Sequence, residues 1–346
     1  MGKVRLSVFG IALAAAVSAN AASWRINPNP GAKAQFLTIA EAMNDINVCD
    51  GDTLLLDPGT HTQTTLNREN LTIIGSGYFL DRNTDWTETQ ATAMQYLTLT
   101  KGSTVEGCTV SSLYLTDNCT ARRCNVGNLT VQGQAASNIL VEGCYATTGI
   151  SVLMNSILRN NIVISNTYYA CLSAGDGSII ENNTVIRPNS IGYGREYAAV
   201  SATNSTIRNN VIINTQSGFD ANNIPYSAKN CIDFTPGNNN VICNNVMSIP
   251  QKYADVNYTN NIFAGASLAD TFVNDGSDDA RYMLLESSAA KGAATHGGDC
   301  GAFGGATPYV LSGIPRGLPH ITEALVPARP TDGQIVVKLK IAAQND

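Results

Sequence analysis

The chain has 346 residues, 44% of them hydrophobic and only 14% charged, with 21 basic against 27 acidic side chains and a net charge of −6. That balance excludes binding of nucleic acid or another polyanion by bulk attraction. Nine cysteines are an odd number, so complete pairing into disulfides is excluded too, and the length suffices to bury a core without staples.

Lys3 and Arg5 precede the apolar run Leu6 to Val17 and then the small residues Ser18 to Ala22, the pattern of a secretory leader with its processing site. Residues 1–22 are read as that leader. The run is too short to span a bilayer and no later segment approaches that length. No Cys stands near the processing site, so a soluble exported protein is expected (periplasmic, cell-surface or extracellular) rather than a lipoprotein. Without Lys3 and Arg5 the balance is 19 basic to 27 acidic residues, a net charge of −8.

Thr38 and Glu41 form a capping-box pair, with Ile39, Ala42, Met43 and Ile46 on one face of the helix they open. That helix is expected to cover the open end of the main domain. Leu54 and Leu56 alternate as a strand into the turn Asp57-Pro58-Gly59, and Leu71, Ile73 and Ile74 make the next strand. Gly75 to Ala93 reads as a polar surface loop in which Trp86 anchors the loop to the wall.

From Tyr96 a repeat takes hold. A short apolar strand runs into a two-residue turn whose second residue is Cys108, Cys124, Cys144, Asn161, Asn183, Asn210, Asn245 or Asn261. Three residues before each stands an inward residue (Val105, Ala121, Val141, Leu158, Ile180, Ile207, Ile242, Tyr258), and two after each stands another, from Val110 to Phe263. A second strand, with pairs such as Leu113 and Leu115, precedes each turn. The turns are spaced 16, 20, 17, 22, 27, 35 and 16 residues apart. Fixed strands with variable loops mark a solenoid of one coil per repeat.

Two residues before each turn position come Glu106, Arg122, Glu142, Arg159, Glu181 and Arg208, alternating in sign. Stacked one strand apart they attract in the correct register, and a slip by one coil sets like against like. Each exposed pair contributes only about 0.2 to 1 kcal/mol, so the value lies in register. The asparagines can pass amide hydrogen bonds along the axis. Cys108, Cys124 and Cys144 share their column as buried thiols; a cross-link within the column is also compatible with strands about 4.8 Å apart. No Cys-x-x-Cys pair occurs and His61, His296 and His320 are scattered, so no metal site is expected.

Ser156-Ile-Leu-Arg-Asn-Asn-Ile-Val163, Ser178-Ile-Ile-Glu-Asn-Asn-Thr-Val185 and Ser205-Thr-Ile-Arg-Asn-Asn-Val-Ile212 resemble the coil signature of right-handed parallel β-helix proteins of the pectin lyase-like superfamily. Asp52 to Thr60 resembles how such domains begin, and Ser287 to Gly305 resembles their closing coil. The resemblance covers roughly residues 35 to 305 and implies an all-β fold, a right-handed parallel β-helix; the domain is read as residues 23–305, with the helix opened by Thr38 as its N-terminal cap. It also implies a family rich in polysaccharide lyases and hydrolases alongside non-catalytic adhesins. Lyases of that family hold calcium with carboxylates and use Arg or Lys as base, and its hydrolases cluster aspartates. Neither pattern maps onto this chain, so no catalytic residue is assigned, and calcium rests on the resemblance alone.

The three long intervals, 161 to 183, 183 to 210 and 210 to 245, fall consecutively, so their extra residues should rise on one side. They carry Tyr168, Tyr169, Asp176, Arg187, Tyr193, Arg195, Tyr197, Asp220, Tyr226, Lys229 and Asp233. Tyrosines suit the apolar faces of sugar rings, and Arg and Lys suit uronate carboxylates, so a polysaccharide groove is expected here. The alternative is that the tyrosines pack the loops onto the wall and the charges are solvated, in a structural or adhesive solenoid. Residues 306–346 read as a linker and a small β-hairpin tail. It is expected to cap the solenoid's edge, or else to serve export or attachment.

Overall fold

The computed structural model describes residues 21–83, 89–133, 136–167, 169–188, 198–215, 217–219, 225–227, 230–233, 239–249, 257–263, 267–315, 319–330 and 333–343. Residues 1–20, the greater part of the expected leader, and Trp86 lie outside them. Among the described residues the chain winds as a parallel β-helix. One sheet stacks eleven strands in sequence order, from Ser23–Ile26 through Thr53–Leu56 and Thr72–Ile74 to Asn257–Thr259, and a thirteen-stranded sheet forms the facing walls. Parallel strands joined through one coil connect in the right-handed sense by the general rule for such crossovers.

Both expected inward columns stand in register. Val105 pairs with Ala121, Ala121 with Val141, and the row continues through Leu158, Ile180, Ile207 and Ile242 to Tyr258. It also extends downward to Ile73, Leu54 and Trp24, coils that have no turn signature in the sequence. Nearly all of these side chains are buried, in one continuous core.

The turn residues explain why the signature is a pair of asparagines rather than one. The second Asn of each pair is inside. Asn183 Oδ1 accepts from the backbone N–H of Asn161 at 3.0 Å and from its side-chain Nδ2 at 2.9 Å, while Asn183 Nδ2 donates to Leu158 O at 2.8 Å. Asn210, Asn245 and Asn261 repeat the pattern. Each asparagine thereby satisfies one donor and one acceptor that the corner would leave unpaired. Cysteine does the weaker version: Cys144 Sγ lies 3.6 Å from Ala121 O, the equivalent carbonyl. All nine cysteines are free thiols, and burial pushes Cys108 and Cys144 well above the usual thiol range, which makes them inert. A second ladder, of Ser156, Ser178, Ser205 and Asn240, fills the opposite corner through Oγ and Oδ1 acceptors.

The first Asn of each pair faces out. Asn160, Asn182, Asn209 and Asn244 hold φ of 54°, 52°, 58° and 54°, the left-handed region that Asn tolerates. Their side chains are met by residues 293–307, which overlap the stretch Ser287 to Gly305 expected as a closing coil; that stretch contributes no strand to either solenoid sheet. That stretch belongs to a strap running back along the outside of the corner. Asn244 Nδ2 donates to Ala293 O at 3.4 Å, Thr295 N donates to Asn209 Oδ1 at 3.0 Å, Asn182 Nδ2 to Asp299 O at 3.2 Å and Asn160 Nδ2 to Gly304 O at 2.6 Å. Further on, Arg123 Nη1 holds Ile314 O at 2.8 Å, and Tyr78 N bonds Ser312 O at 2.8 Å. The buried Asp279 carboxylate, fed by Ser312 N and by the Asn83 amide, fastens the strap.

Other expectations need correction. Thr38 caps the helix Ile39–Asn44 and Ile39, Ala42 and Met43 are buried. Ile46, placed on the same face by spacing, is 89% exposed because the helix ends before it. Glu41 reaches back to Leu37 N rather than to the capping residue. The charge ladder pairs Arg159 at 3.2 Å and Arg122 at 3.4 Å with Glu142 and Arg208 at 2.7 Å with Glu181, while Glu106 lies 4.0 Å from Arg123, outside the alternating column. Its glutamates are more covered than a surface column, Glu142 being 5% exposed. The tail pairs Pro319–Leu325 with Lys338–Ala343 as a hairpin, but it joins neither solenoid sheet and so does not pair with the edge strand Asn257–Thr259. Its Leu339 and Ile341 stay exposed.

Two outcomes are expected of the ladders. Asn183→Ala strands Asn161 N and Leu158 O and is expected to lower stability by about 2 to 4 kcal/mol in urea unfolding, with Asn183→Cys losing less, as Cys144 shows the thiol fits that corner. Glu142→Arg places three arginines in a row and should lower stability by about 1 to 3 kcal/mol, relieved by roughly 0.5 M salt in the same measurement.

Candidate functional site

The extra residues of the long intervals leave the wall at one corner. After Ile162–Ile164, Thr184–Arg187 and Val211–Asn214 the chain departs, and it returns to the wall at Leu172–Ala174, Val200–Ala202 and Ile232. Strands on both sides are held in register, so added length has nowhere else to go. One coil earlier the wall is a single strand, Tyr145–Ser151, and it carries a bulge there: Val126 pairs with Ala146 but Asn128 with Gly149. Gly149, with φ of 153°, allows it; a Cβ there would press on Cys171 O at 3.1 Å. The bulge marks where the repeat first opens.

The bases of the inserts are held by polar side chains turned inward. Arg187 is 1% exposed. Its Nη1 donates to Tyr169 O at 2.7 Å and Ala198 O at 3.4 Å, and its Nη2 to Thr167 O. In the next coil its partner Asn214 donates Nδ2 to Asn230 O at 2.8 Å. In the coil before, Ser165 bonds Thr148 O. The Cys171 thiol beside Arg187 is pushed up to about 11 by burial, the guanidinium offsetting part of the rise, so it stays protonated.

Between the bulge and the inserts lies an open groove of 610 Å³. Its floor is an outward row in strand register, Thr130, Ser151, Ser173 and Ser201. Ser173 Oγ donates to Ser151 Oγ at 2.9 Å, and Ser201 Oγ reaches Asp233 Oδ2 at 3.4 Å. Thr148, Thr167 and Tyr169 form the rim, and the Tyr169 side chain stands 80% exposed above a backbone that Arg187 fixes. The surface offers a line of hydroxyls that both donate and accept, one strand spacing apart, beside one aromatic face.

Of the residues expected to line a groove, Tyr169 is on its rim and Asp233 ends its hydroxyl row. Arg187 is not a lining cation: it is withdrawn into the corner because the insert carbonyls need a buried donor. Asp176 is exposed in the turn after Leu172–Ala174, where it accepts from Asn204 Nδ2 at 3.0 Å, so it belongs to a turn row two coils below Asp233. Tyr168, Tyr193, Arg195, Tyr197, Asp220 and Lys229 lie outside the described residues. Tyr226 sits in the strand Pro225–Ser227, antiparallel to Ser217–Phe219, and its side chain lies outside the described ones. Sequence reasoning missed the hydroxyl row. The available signal was an apolar-hydroxyl-apolar triplet in each coil: Leu129-Thr130-Val131, Ile150-Ser151-Val152, Leu172-Ser173-Ala174 and Val200-Ser201-Ala202. Among the described residues no three His, Cys, Asp or Glu side chains gather as a metal site.

Replacing Arg187 with Met, which keeps volume but removes the donors, leaves several buried carbonyls unpaired. We expect a loss of about 2 to 4 kcal/mol in thermal unfolding and faster tryptic nicking within 188–200 than in the parent.

No protein-family model and no curated protein matches the chain. Among solved structures it is similar to the pectate lyase Pel9A, with a TM-score of 0.46 and 14% identity over 82% of this chain and 96% of that one. It is also similar to a pectin methylesterase mutant in complex with a hexasaccharide (TM-score 0.38, 12% identity, 68% of this chain and 92% of that one). A further pectin methylesterase complex with a hexasaccharide shows a TM-score of 0.37 and 11% identity over 77% of this chain and 98% of that one.

Proposed function

We propose that this is an exported solenoid that binds a polysaccharide along the groove between the bulge and the inserts. The observation that carries the reading is the in-register row of Thr130, Ser151, Ser173 and Ser201 with the exposed Tyr169 at its rim. An extended glycan presents hydroxyls at regular intervals along its length and apolar C–H faces between them. A row of hydroxyls matches the first, and a tyrosine ring the second. The described floor and rim hold no cation, so they suit neutral sugar units. Asp233, at the end of the row, is the described carboxylate placed to take part in any bond-breaking step.

The exposed apolar hairpin of residues 319–343 favours a second reading, in which the solenoid is a non-catalytic adhesive held at a surface by its tail. The two separate cleanly, since removing residues 316–346 would release an attached protein while leaving glycan affinity intact.

Affinity gel electrophoresis or calorimetry against a panel of plant and acidic polysaccharides is expected to yield at least one ligand. Tyr169→Ala should weaken that ligand about 5- to 30-fold, a change of about 1 to 2 kcal/mol, with no change in Tm. Release of unsaturated or reducing-end products that stops in Asp233→Asn would make the protein an enzyme. An absence of binding and turnover across the panel defeats the glycan reading.

A further inference from the structure

Asp52 is a buried carboxylate, 3% exposed, at the very start of the fold. Its Oδ2 accepts the indole Nε1–H of Trp24 at 2.7 Å and the backbone N–H of Cys49 at 2.9 Å. Its Oδ1 accepts the backbone N–H of Ala22 at 2.8 Å. Among the described residues no cation pairs with it. These donors outweigh burial and hold the carboxyl below its usual range, so it is charged at neutral pH.

Ala22 is also the first residue the solenoid grips. Its carbonyl accepts from Thr53 N at 2.8 Å, and strand register starts one residue later with Ser23 opposite Thr53. Ala21 is exposed. In the sequence, Ala19-Asn20-Ala21 places small residues at the first and third positions before the Ala21–Ala22 bond, the spacing a leader peptidase reads. The sequence pattern put Ala22 within the leader; the hydrogen bonds put it in the folded domain.

We propose that a leader peptidase hydrolyses the Ala21–Ala22 bond and that the amine freed on Ala22 forms an ion pair with Asp52, locking the edge strand of the first coil. Water supplies hydroxyl to the Ala21 carbonyl carbon, which leaves as a carboxylate with the leader. The Ala22 nitrogen gains protons and becomes an ammonium, replacing an amide N–H as the partner of Oδ1. The carboxylate is already desolvated and oriented by Trp24 and Cys49, so the added charge enters a prepared site, unlike a pair buried from scratch. The inference rests on the export reading and is independent of the glycan groove.

The titratable groups around this corner are Cys49 and Asp50 on the same turn and Arg68 and Glu69 on the turn packed against it. Arg68 Nε holds Val48 O at 3.1 Å, Asp50 Oδ1 accepts from Glu69 N at 2.8 Å and Cys49 Sγ lies 3.6 Å from Asn47 O, so Arg68, Asp50 and Cys49 are engaged elsewhere. An amine that gains a carboxylate partner has its pKa raised above the unfolded value of about 7.7 to 8.0. Its contribution is complete below that value and lost as pH rises through the folded one. The Asp52 contribution, with its folded pKa lowered, is present above about 3.9 and lost as pH falls through the folded value.

The full chain, leader included, is expressed in an exporting bacterial host and the N-terminus of the purified product read by mass spectrometry. A product starting at Ala22 is expected; one starting at Asn20 or Ser23, or retaining the leader, overturns the proposal. The mature chain is then compared with the same chain extended by Ala21, which keeps the Ala22 amide but moves the ammonium one residue away. The mature form should melt about 2 to 4 °C higher at pH 6. That gap should close above about pH 10 as the amine loses its proton. Equal melting at pH 6, or a gap unchanged at about pH 10.5, overturns the ion pair.

Discussion

Everything in this molecule depends on one constraint: parallel coils stacked in register at a single strand spacing. Each corner must turn the chain while leaving no buried N–H or C=O unpaired. The Asn pair answers both halves of that demand. Its first residue takes the left-handed conformation the corner needs, and its second hands an amide and a carbonyl to the neighbouring coils. Because each interior Asn bonds the coil before and the coil after, the corners form a continuous chain of hydrogen bonds from Cys144 to Asn261.

That regularity also explains the strap. Left-handed asparagines at successive corners project their side chains outward at a fixed pitch. Residues 293–307 read this pitch with backbone carbonyls and a threonine, sealing a corner that has no wall of its own. Regularity equally explains where a ligand surface can arise. The wall is uniform until the bulge at Gly149, and beyond it the three long coils spend their added residues at one corner. The inward Ser165, Arg187 and Asn214 keep those inserts attached without disturbing register. Outward hydroxyls that would be unremarkable on one strand become a row because stacking repeats them.

The parts of the candidate site that were legible in the sequence were those tied to the repeat. Consecutive long intervals pointed to one side of the solenoid, and Tyr169 and Asp233 are found there. Arg187 was misjudged because its neighbours in sequence are apolar and its partners, Thr167, Tyr169 and Ala198, belong to two different inserts. Asp176 was grouped with the groove by interval alone, although it falls on the far turn of its coil. The hydroxyl row went unnoticed because Ser and Thr on an outward face carry no charge or aromaticity to draw attention.

The sequence by itself determined the coil: which residues face in, how coils stack, and the alternation of charge that holds the register. It could do so because in a one-dimensional stack each column of the structure is a periodic column of the sequence. Only the tertiary structure decided the strap, the direction of Arg187, the separateness of the tail hairpin from both solenoid sheets and the anchoring of Ala22 on Asp52. Those contacts join residues without a shared period, such as Arg123 to Ile314 across 191 positions and Tyr78 to Tyr309 across 231. Which of them meet is settled by geometry that no local pattern encodes.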